Sequence, residues 1–176
     1  MKNSTQTKST PLFATVQYSI DGDGPILVAD RLKSPENMGH IIRLASNFGC
    51  AKVIFIGDSQ SVRHSKIKKV AGAAAGQIEW QFCKPEELKN HLPEGYTVCA
   101  IETTDNSLNL SDGVLPEKVA FVLGNEIHGV SAELMEQCSH FYHIPMIGAI
   151  KSMNVSHACS VALYEWVRQY LVISPQ

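Results

Sequence analysis

No disulfide framework is legible in this sequence. Its five cysteines, Cys50, Cys83, Cys99, Cys138 and Cys159, are odd in number, widely spaced and free of any CxxC pair. That is the pattern of free thiols in a reducing compartment. Apolar runs stay short of the roughly 18 to 20 residues that a membrane span needs. The polar stretch Met1 to Thr10 lacks the apolar centre of a signal peptide, so a cytoplasmic protein with no membrane partner is expected. In that compartment the sequons Asn109-Leu-Ser111 and Asn154-Val-Ser156 carry no weight. Neither sign of charge dominates: 15 Lys and Arg stand against 17 Asp and Glu, for a net charge of -2. That excludes a broadly basic surface and confines any nucleic-acid-binding charge to a local patch. There is no GxxxxGK phosphate loop and no GxGxxG dinucleotide fingerprint.

What is present is a chain of 176 residues, 44% hydrophobic and 18% charged, enough for one domain with a substantial core. Residues 1 to 24 read as a loosely ordered tail that ends in Asp21-Gly-Asp-Gly-Pro25, and residues 25 to 176 as a single domain. Short apolar strands are expected at Ile26 to Asp30, Val53 to Gly57, Ile78 to Phe82, Tyr96 to Glu102, Val119 to Leu123 and Phe141 to Pro145. Helical spacing follows Ser34-Pro35, with Ile41, Ile42, Ala45 and Phe48 on one face and Gly49 as the stop. Pro85 opens a short helix, Ser131 can cap another from Ala132 to Cys138, and the longest runs from Val155 to about Leu171. Strands too apolar to be half exposed, alternating with helices, predict an α/β fold: a mostly parallel sheet covered on both faces. Ligands of such sheets sit at the carboxyl ends of strands, where the unusual polar residues fall.

Three segments hold those residues. Asn37-Met-Gly-His-Ile-Ile-Arg43 places Asn37 as a helix cap and Arg43 inside an apolar stretch, where it is either a surface arginine or a contact to phosphate or ribose. Gly124-Asn-Glu126-Ile-His-Gly129 ends an apolar strand abruptly; it is either an ordinary turn or a place where backbone approaches a ligand. Ile144-Pro-Met-Ile-Gly148, followed by Ser152-Met-Asn154, makes a loop longer than a cap requires. Its apolar content predicts burial, leaving backbone groups for a flat polar ligand. Arg63, His64, Lys66, Lys68 and Lys69 form a basic cluster, either a solvated helix face or a phosphate-binding patch. No metal site is expected: Cys138, His140 and His143 are close, but the odd spacing sends the two histidines to opposite faces of a strand. Ser65 to Lys68 matches SxxK without the companion motif of acyl-enzyme chemistry.

Taken together, the three segments resemble the SpoU (TrmH) branch of the SPOUT RNA methyltransferases. The Asn-x-Gly-x-x-x-Arg motif with its trailing Phe48-Gly49, the Gly-Asn-Glu-x-x-Gly turn, and Ile-Pro-Met-x-Gly with Ser152-Met-Asn-Val-Ser156 and Leu163-Tyr-Glu165 occur in that order over residues 26 to 170. The resemblance implies a fold closed by a C-terminal trefoil knot, a rare exception to unknotted chains. It implies S-adenosylmethionine as cofactor, held around Glu102, Leu123, Gly124, Ile144, Met146 and Met153. Arg43, Asn37, Glu126, Ser152 and Asn154 would form the catalytic group, with Glu126 bonding Arg43. Arg63, Lys66, Lys68 and Lys69 would hold RNA. The implied reaction is methylation of a ribose 2′-hydroxyl, with transfer RNA favoured and ribosomal RNA the alternative, by a homodimer that buries part of the last helix. A base methyltransferase and a non-catalytic RNA- or nucleotide-binding module are the competing classes.

Overall fold

A computed structural model of the protein describes residues 17–20 and 22–174. In chain order the strands are β1 (Gln17–Ile20), β2 (Ile26–Asp30), β3 (Lys52–Ile56), β4 (Glu79–Cys83), β5 (Thr97–Ile101), β6 (Leu108–Asn109), β7 (Val119–Leu123), β8 (His140–His143) and β9 (Leu171–Ser174). The helices are α1 (Pro35–Asn47), α2 (His64–Ala71), α3 (Leu88–His91), α4 (Ala132–Met135) and α5 (Val155–Tyr170). Seven strands form one sheet in the order β4-β3-β2-β7-β5-β8-β6, and every neighbouring pair in it runs parallel. The expected tail from 1 to 24 falls largely outside the described residues. Of it, Gln17–Ile20 forms β1, because an antiparallel partner, β9, arrives from the far end of the chain.

The central strands β2 and β7 are buried at every position, as continuous apolar strands must be when both faces are covered. One face, with Leu27, Val53, Phe55 and Phe121, packs against Ile41, Ile42 and Ala45 of α1, Ile67 of α2 and Leu163 of α5. The other, with Val28, Ile54, Ala100 and Val122, packs against Leu88 of α3 and Leu134 of α4. Each such fully buried Ile, Leu or Phe is worth about 1.5–3 kcal/mol against exposure. Helices α1 and α2 meet at Gly39, where a Cβ would lie 2.6 Å from the Cβ of Val70.

The caps differ in part from expectation. Ser34, not Asn37, caps α1: its Oγ accepts the backbone N–H of Asn37 at 3.2 Å, with Pro35 in the first helical position. Pro35 fixes the helix start, which leaves Asn37 in the first turn with a free side chain. Asn154 caps α5, its Oδ1 accepting from the Ser156 N–H at 2.8 Å. Ser131 precedes α4, but its Oγ makes no capping bond, and α4 stops at Met135, short of Cys138. Trp166 of α5 is 0% exposed. Its Nε1 donates to the carbonyls of Pro116 and Glu117 at 3.1 and 3.2 Å, a buried indole N–H finding its acceptors inside its own chain.

The order of strands positions the site. From β2 the chain winds outward through β3 to β4, then crosses to β5, and β7 inserts between β2 and β5. The carboxyl ends of β2, β7, β5 and β8 therefore open along one edge, around the place where the winding reverses.

Candidate active site

A cleft of about 520 Å³ lies at that edge, between the ends of β5, β7 and β8 and the start of α5. Glu102 stands on its wall after β5, Leu123 and Gly124 at the end of β7, Ile144 and Met146 after β8, and Met153 just before α5. Glu126, Ser152 and Asn154 line the same cleft, and Lys151 reaches it as a cation.

Backbone geometry shapes the floor. The turn after β7 closes on itself: the Asn125 N–H donates to the Gly129 carbonyl at 2.8 Å, and the Gly129 N–H returns to the Asn125 carbonyl at 3.0 Å. A Cβ on Gly124 would lie 2.5 Å from the Gly129 carbonyl carbon, so no larger residue fits without moving this turn. Gly129 adopts φ +70°, the left-handed region that glycine enters freely. Glu102 braces the turn from β5, its Oε2 accepting the Val130 N–H at 3.0 Å.

Two residues unremarked in the sequence hold it from β2. Asp30 is 1% exposed, and its Oδ2 accepts the Ser131 N–H at 2.7 Å. Arg31 has φ 46°, which is strained for a side-chain-bearing residue, and its carbonyl accepts from the Asn125 amide at 2.6 Å. The one sequence signal was a carboxylate closing an all-apolar strand, which an exposed strand end explains equally well.

Three catalytic candidates from separate segments converge. Asn37 donates its Nδ2 to Glu126 Oε1 at 2.9 Å, and its Oδ1 accepts from Asn154 Nδ2 at 3.1 Å. A carboxylate only accepts, so the orientation of the Asn37 amide is fixed by chemistry. The Lys33 N–H reaches the other Glu126 oxygen at 3.4 Å. Arg43 is not part of this group. Six residues further along α1 it lies about 240° around the helix from Asn37. It borders a separate cleft of about 210 Å³ with His40, Asn47, His157 and Ser160. The expected Arg43–Glu126 bond is absent: Glu126 is engaged by Asn37 instead.

The loop from Ile144 to Asn154 departs from its expected burial. Ile147 is 100% and Ile150 78% exposed, and Lys151 Nζ donates across the loop to the Met146 carbonyl at 2.6 Å. Pro145 and Gly148 keep it irregular, and irregular backbone runs along the surface where water satisfies its polar groups. Beside it an apolar groove of about 570 Å³ is walled by Phe48, Leu110, Ile144, Pro145, Val161 and Tyr164. This groove adjoins the large cleft at Ile144 and the Arg43 cleft at Ser160.

The remaining chemistry is quiet. Burial pushes the thiols of Cys99 and Cys138 up to about 12, and burial with Glu87 and Glu86 nearby raises Cys83 to about 11, so none is a thiolate nucleophile at neutral pH. Among the described residues no three His, Cys, Asp or Glu side chains are grouped to hold a metal ion, and no helix is long and apolar enough to cross a membrane. Arg63, Lys66, Lys68 and Lys69 are exposed at and along α2. Lys66 pairs with Glu36 of α1, whose carboxyl its hydrogen bond holds below the usual value.

Known proteins resemble this chain in sequence and fold. The model of the SpoU rRNA Methylase family matches residues 24–164. The chain is 33% identical over 151 residues to the mouse (Mus musculus) tRNA (guanosine(18)-2'-O)-methyltransferase TARBP1, covering 84% of this chain and 10% of that protein. It is 31% identical over 149 residues to the 23S rRNA (guanosine-2'-O-)-methyltransferase RlmB of Acinetobacter baylyi, covering 83% of this chain and 60% of that one. The chain thus spans less than two thirds of the length of these relatives. The crystal structure of the SpoU methyltransferase AviRb from Streptomyces viridochromogenes superposes with a TM-score of 0.77 at 24% identity, covering 85% of this chain and 61% of that one, and shares its fold.

Proposed function

Because the chain belongs to the SpoU rRNA methylase family, we propose that it transfers a methyl group from S-adenosylmethionine to a ribose 2′-hydroxyl of RNA. The observation that carries this reading is the Asn37–Glu126–Asn154 chain of hydrogen bonds, which joins the three motif segments at the rim of a single cleft. Transfer RNA is the favoured substrate and ribosomal RNA the alternative; one relative is named for each. Residues 25–176 act as one methyltransferase domain, in the cytoplasm, with the C-terminal segment threaded as the trefoil knot of the family.

The residues present fit the cofactor. About 520 Å³ falls within the 300–1,000 Å³ of ordinary small-molecule sites, and Gly124 lets the Gly129 turn pack tightly against the end of β7 at the floor. Leu123, Ile144, Met146 and Met153 offer apolar contact, while the Glu102 and Glu126 carboxylates suit a cationic ligand. S-adenosylmethionine bound there supplies an electrophilic methyl group on a sulfonium.

Asn37, Glu126, Ser152 and Asn154 orient the ribose so that its 2′-oxygen meets that methyl in line. Glu126, already fixed by Asn37, accepts from ribose hydroxyls and would take up the 2′-proton released as the O–CH3 bond forms and the S–CH3 bond breaks to leave a neutral thioether. Arg43 clamps the adjacent phosphate; a guanidinium keeps its proton, so positioning is its role. Arg63, Lys66, Lys68 and Lys69 hold phosphates farther along the RNA, Lys66 least because Glu36 competes for it.

The apolar groove lined by Val161 and Tyr164 is the surface for a second copy of this chain, with a larger and more apolar area than a solvated helix face needs. It lies between the Arg43 cleft and the large cleft. A two-fold axis running between those sides sets the Arg43 of one copy against the cleft of the other.

The experiment is transfer of labelled methyl from S-adenosylmethionine to separated tRNA and rRNA fractions, followed by nucleoside analysis. Label in a 2′-O-methyl nucleoside is expected. Label on a base, or none on either RNA, overturns the assignment.

A further inference from the structure

Away from the cleft, at the β4 edge of the sheet, aromatic rings form a pile that runs from core to surface. Phe55 of β3 is buried, and Phe82 of β4 packs on it with ring centroids 5.3 Å apart. His64, the first residue of α2, lies stacked on Phe82 at 5.4 Å and 24°. Trp80 flanks His64 at 5.7 Å. The imidazole is held in place at its rim: His64 Nε2 lies 2.9 Å from the Ser59 carbonyl, and a carbonyl only accepts, so Nε2 is the protonated nitrogen. His64 is exposed. The ring is backed by Phe82, and the residue as a whole stays exposed, so ring surface is open to a ligand.

Cations neighbour His64 along the chain. Arg63 immediately precedes His64, and Lys68, four residues on, lies on the same side of α2. Among the described residues Arg63, Lys68 and Lys69 make no ion pair, unlike Lys66. An anchored, exposed ring beside unpaired cations is the combination that binds single-stranded nucleic acid: the ring takes a base by stacking and the cations take phosphates.

We propose that His64, backed by Phe82 and flanked by Arg63 and Lys68, is a stacking ledge for one unpaired nucleobase of the substrate RNA. The proposal rests on the methyltransferase reading and extends it to how the RNA is aligned. Phe82 is near the carboxyl end of β4, so the ledge sits on the same sheet edge as the cleft. Three strand spacings separate β4 from β7, roughly 14 Å at about 4.8 Å each, a reach of a few nucleotides. The base on the ledge is therefore near, but not at, the ribose in the cleft. A stacked base need not be a particular base, so the ledge selects for RNA that is unpaired there.

The test uses fluorescence anisotropy with a twelve-residue oligouridylate and a backbone-matched oligomer bearing abasic riboses, alongside the methyl-transfer assay. His64→Ala weakens oligouridylate binding about tenfold with the salt slope unchanged, because no phosphate contact is lost. His64→Tyr restores it. The abasic oligomer binds the wild type and His64→Ala alike. Lys68→Gln shows the opposite pattern, flattening the salt slope by about one unit for both oligomers. If His64→Ala binds oligouridylate as the wild type does while the wild type methylates RNA, the ledge is overturned and the methyltransferase reading stands. If the wild type neither binds nor methylates RNA, both fall. A wild type that methylates RNA and prefers oligouridylate to the abasic oligomer, with the preference lost in His64→Ala, supports both.

Discussion

The side chain of Asn37 donates to Glu126 at 2.9 Å although 89 residues of chain separate them. Through its other atom Asn37 also accepts from Asn154, so one amide ties together the start of α1, the turn after β7 and the cap of α5. The arrangement is reciprocal: an ionised carboxylate and an amide N–H at opposite ends demand an amide, and no other side chain of that size both donates and accepts in this geometry.

Replacing Asn37 with Ala leaves Glu126 and Asn154 each short of a partner. A loss of about 1–3 kcal/mol in stability is expected, with methyl transfer reduced more than tenfold. Urea unfolding and single-turnover kinetics measure the two effects. Normal single-turnover rates in a folded Asn37→Ala protein refute the catalytic placement.

Gly124 and Gly148 make a matched pair. A Cβ at Gly124 collides with the Gly129 backbone, whereas one at Gly148 meets nothing within 4 Å. Gly124→Ala is expected to cost about 1–3 kcal/mol through overpacking and to weaken S-adenosylmethionine binding at least tenfold. Gly148→Ala keeps both within twofold. Calorimetric titration of the two variants decides, and equal affinities contradict the assigned floor of the cofactor site.

Arg43→Ala is expected to lose methyl transfer while cofactor affinity stays within twofold, since Arg43 borders a different cleft from Gly124. Mixing Arg43→Ala with Asn154→Ala chains restores activity if Arg43 serves the partner's cleft, because one of the two sites in the mixed dimer is then whole. Activity that never returns in the mixture argues for a site completed within one chain.

Cys99 carries a pH signature. Burial, aided by Cys138, raises its thiol from 9.0 to about 12. A group whose value is raised on folding stabilises the fold fully below 9.0 and loses that contribution as pH climbs toward 12. At pH 10 the unfolded thiol is ionised and the folded one is not, which withdraws about 1.4 kcal/mol. Cys99→Ala removes this loss. The stability difference between pH 7 and pH 10, read by denaturant unfolding, should shrink by that amount in the variant; an unchanged difference means the thiol ionises equally in both states.

Local pattern revealed the strands and long helices because their apolar spacing reflects burial directly: β2 and β7 read as all-apolar runs and are buried throughout. What it concealed depended on distant partners. Asn37 and Ser34 are both good caps, and only Pro35 beside Ser34 decides between them. The 144–154 loop looked buried from its composition, yet nothing in composition reports whether a neighbouring element covers it. Arg43 lies six residues from Asn37, and helical rotation alone turns it away from the cleft. Arg31 gave no signal and Asp30 only the ambiguous one of a carboxylate ending an apolar strand, since their importance lies in bonds to Ser131 and Asn125, about a hundred residues downstream.

The insertion of β7 between β2 and β5 has a bearing on how this molecule comes into being. Asn37 and Asn154 are separated by 117 residues, and both must be in place before the cleft exists. At about 5–20 residues per second, the ribosome needs roughly 6 to 23 s to deliver the second after the first. For the middle part of that interval, after β3 is made at 52–56 and before β7 is made at 119–123, β2 has β3 beside it but lacks the strand that belongs on its other edge. Nascent chains therefore pass through a stage with an open strand edge and no ability to bind their cofactor. On the proposed reading, cofactor binding reports that the segments carrying Asn37 and Asn154, 117 residues apart, have already met.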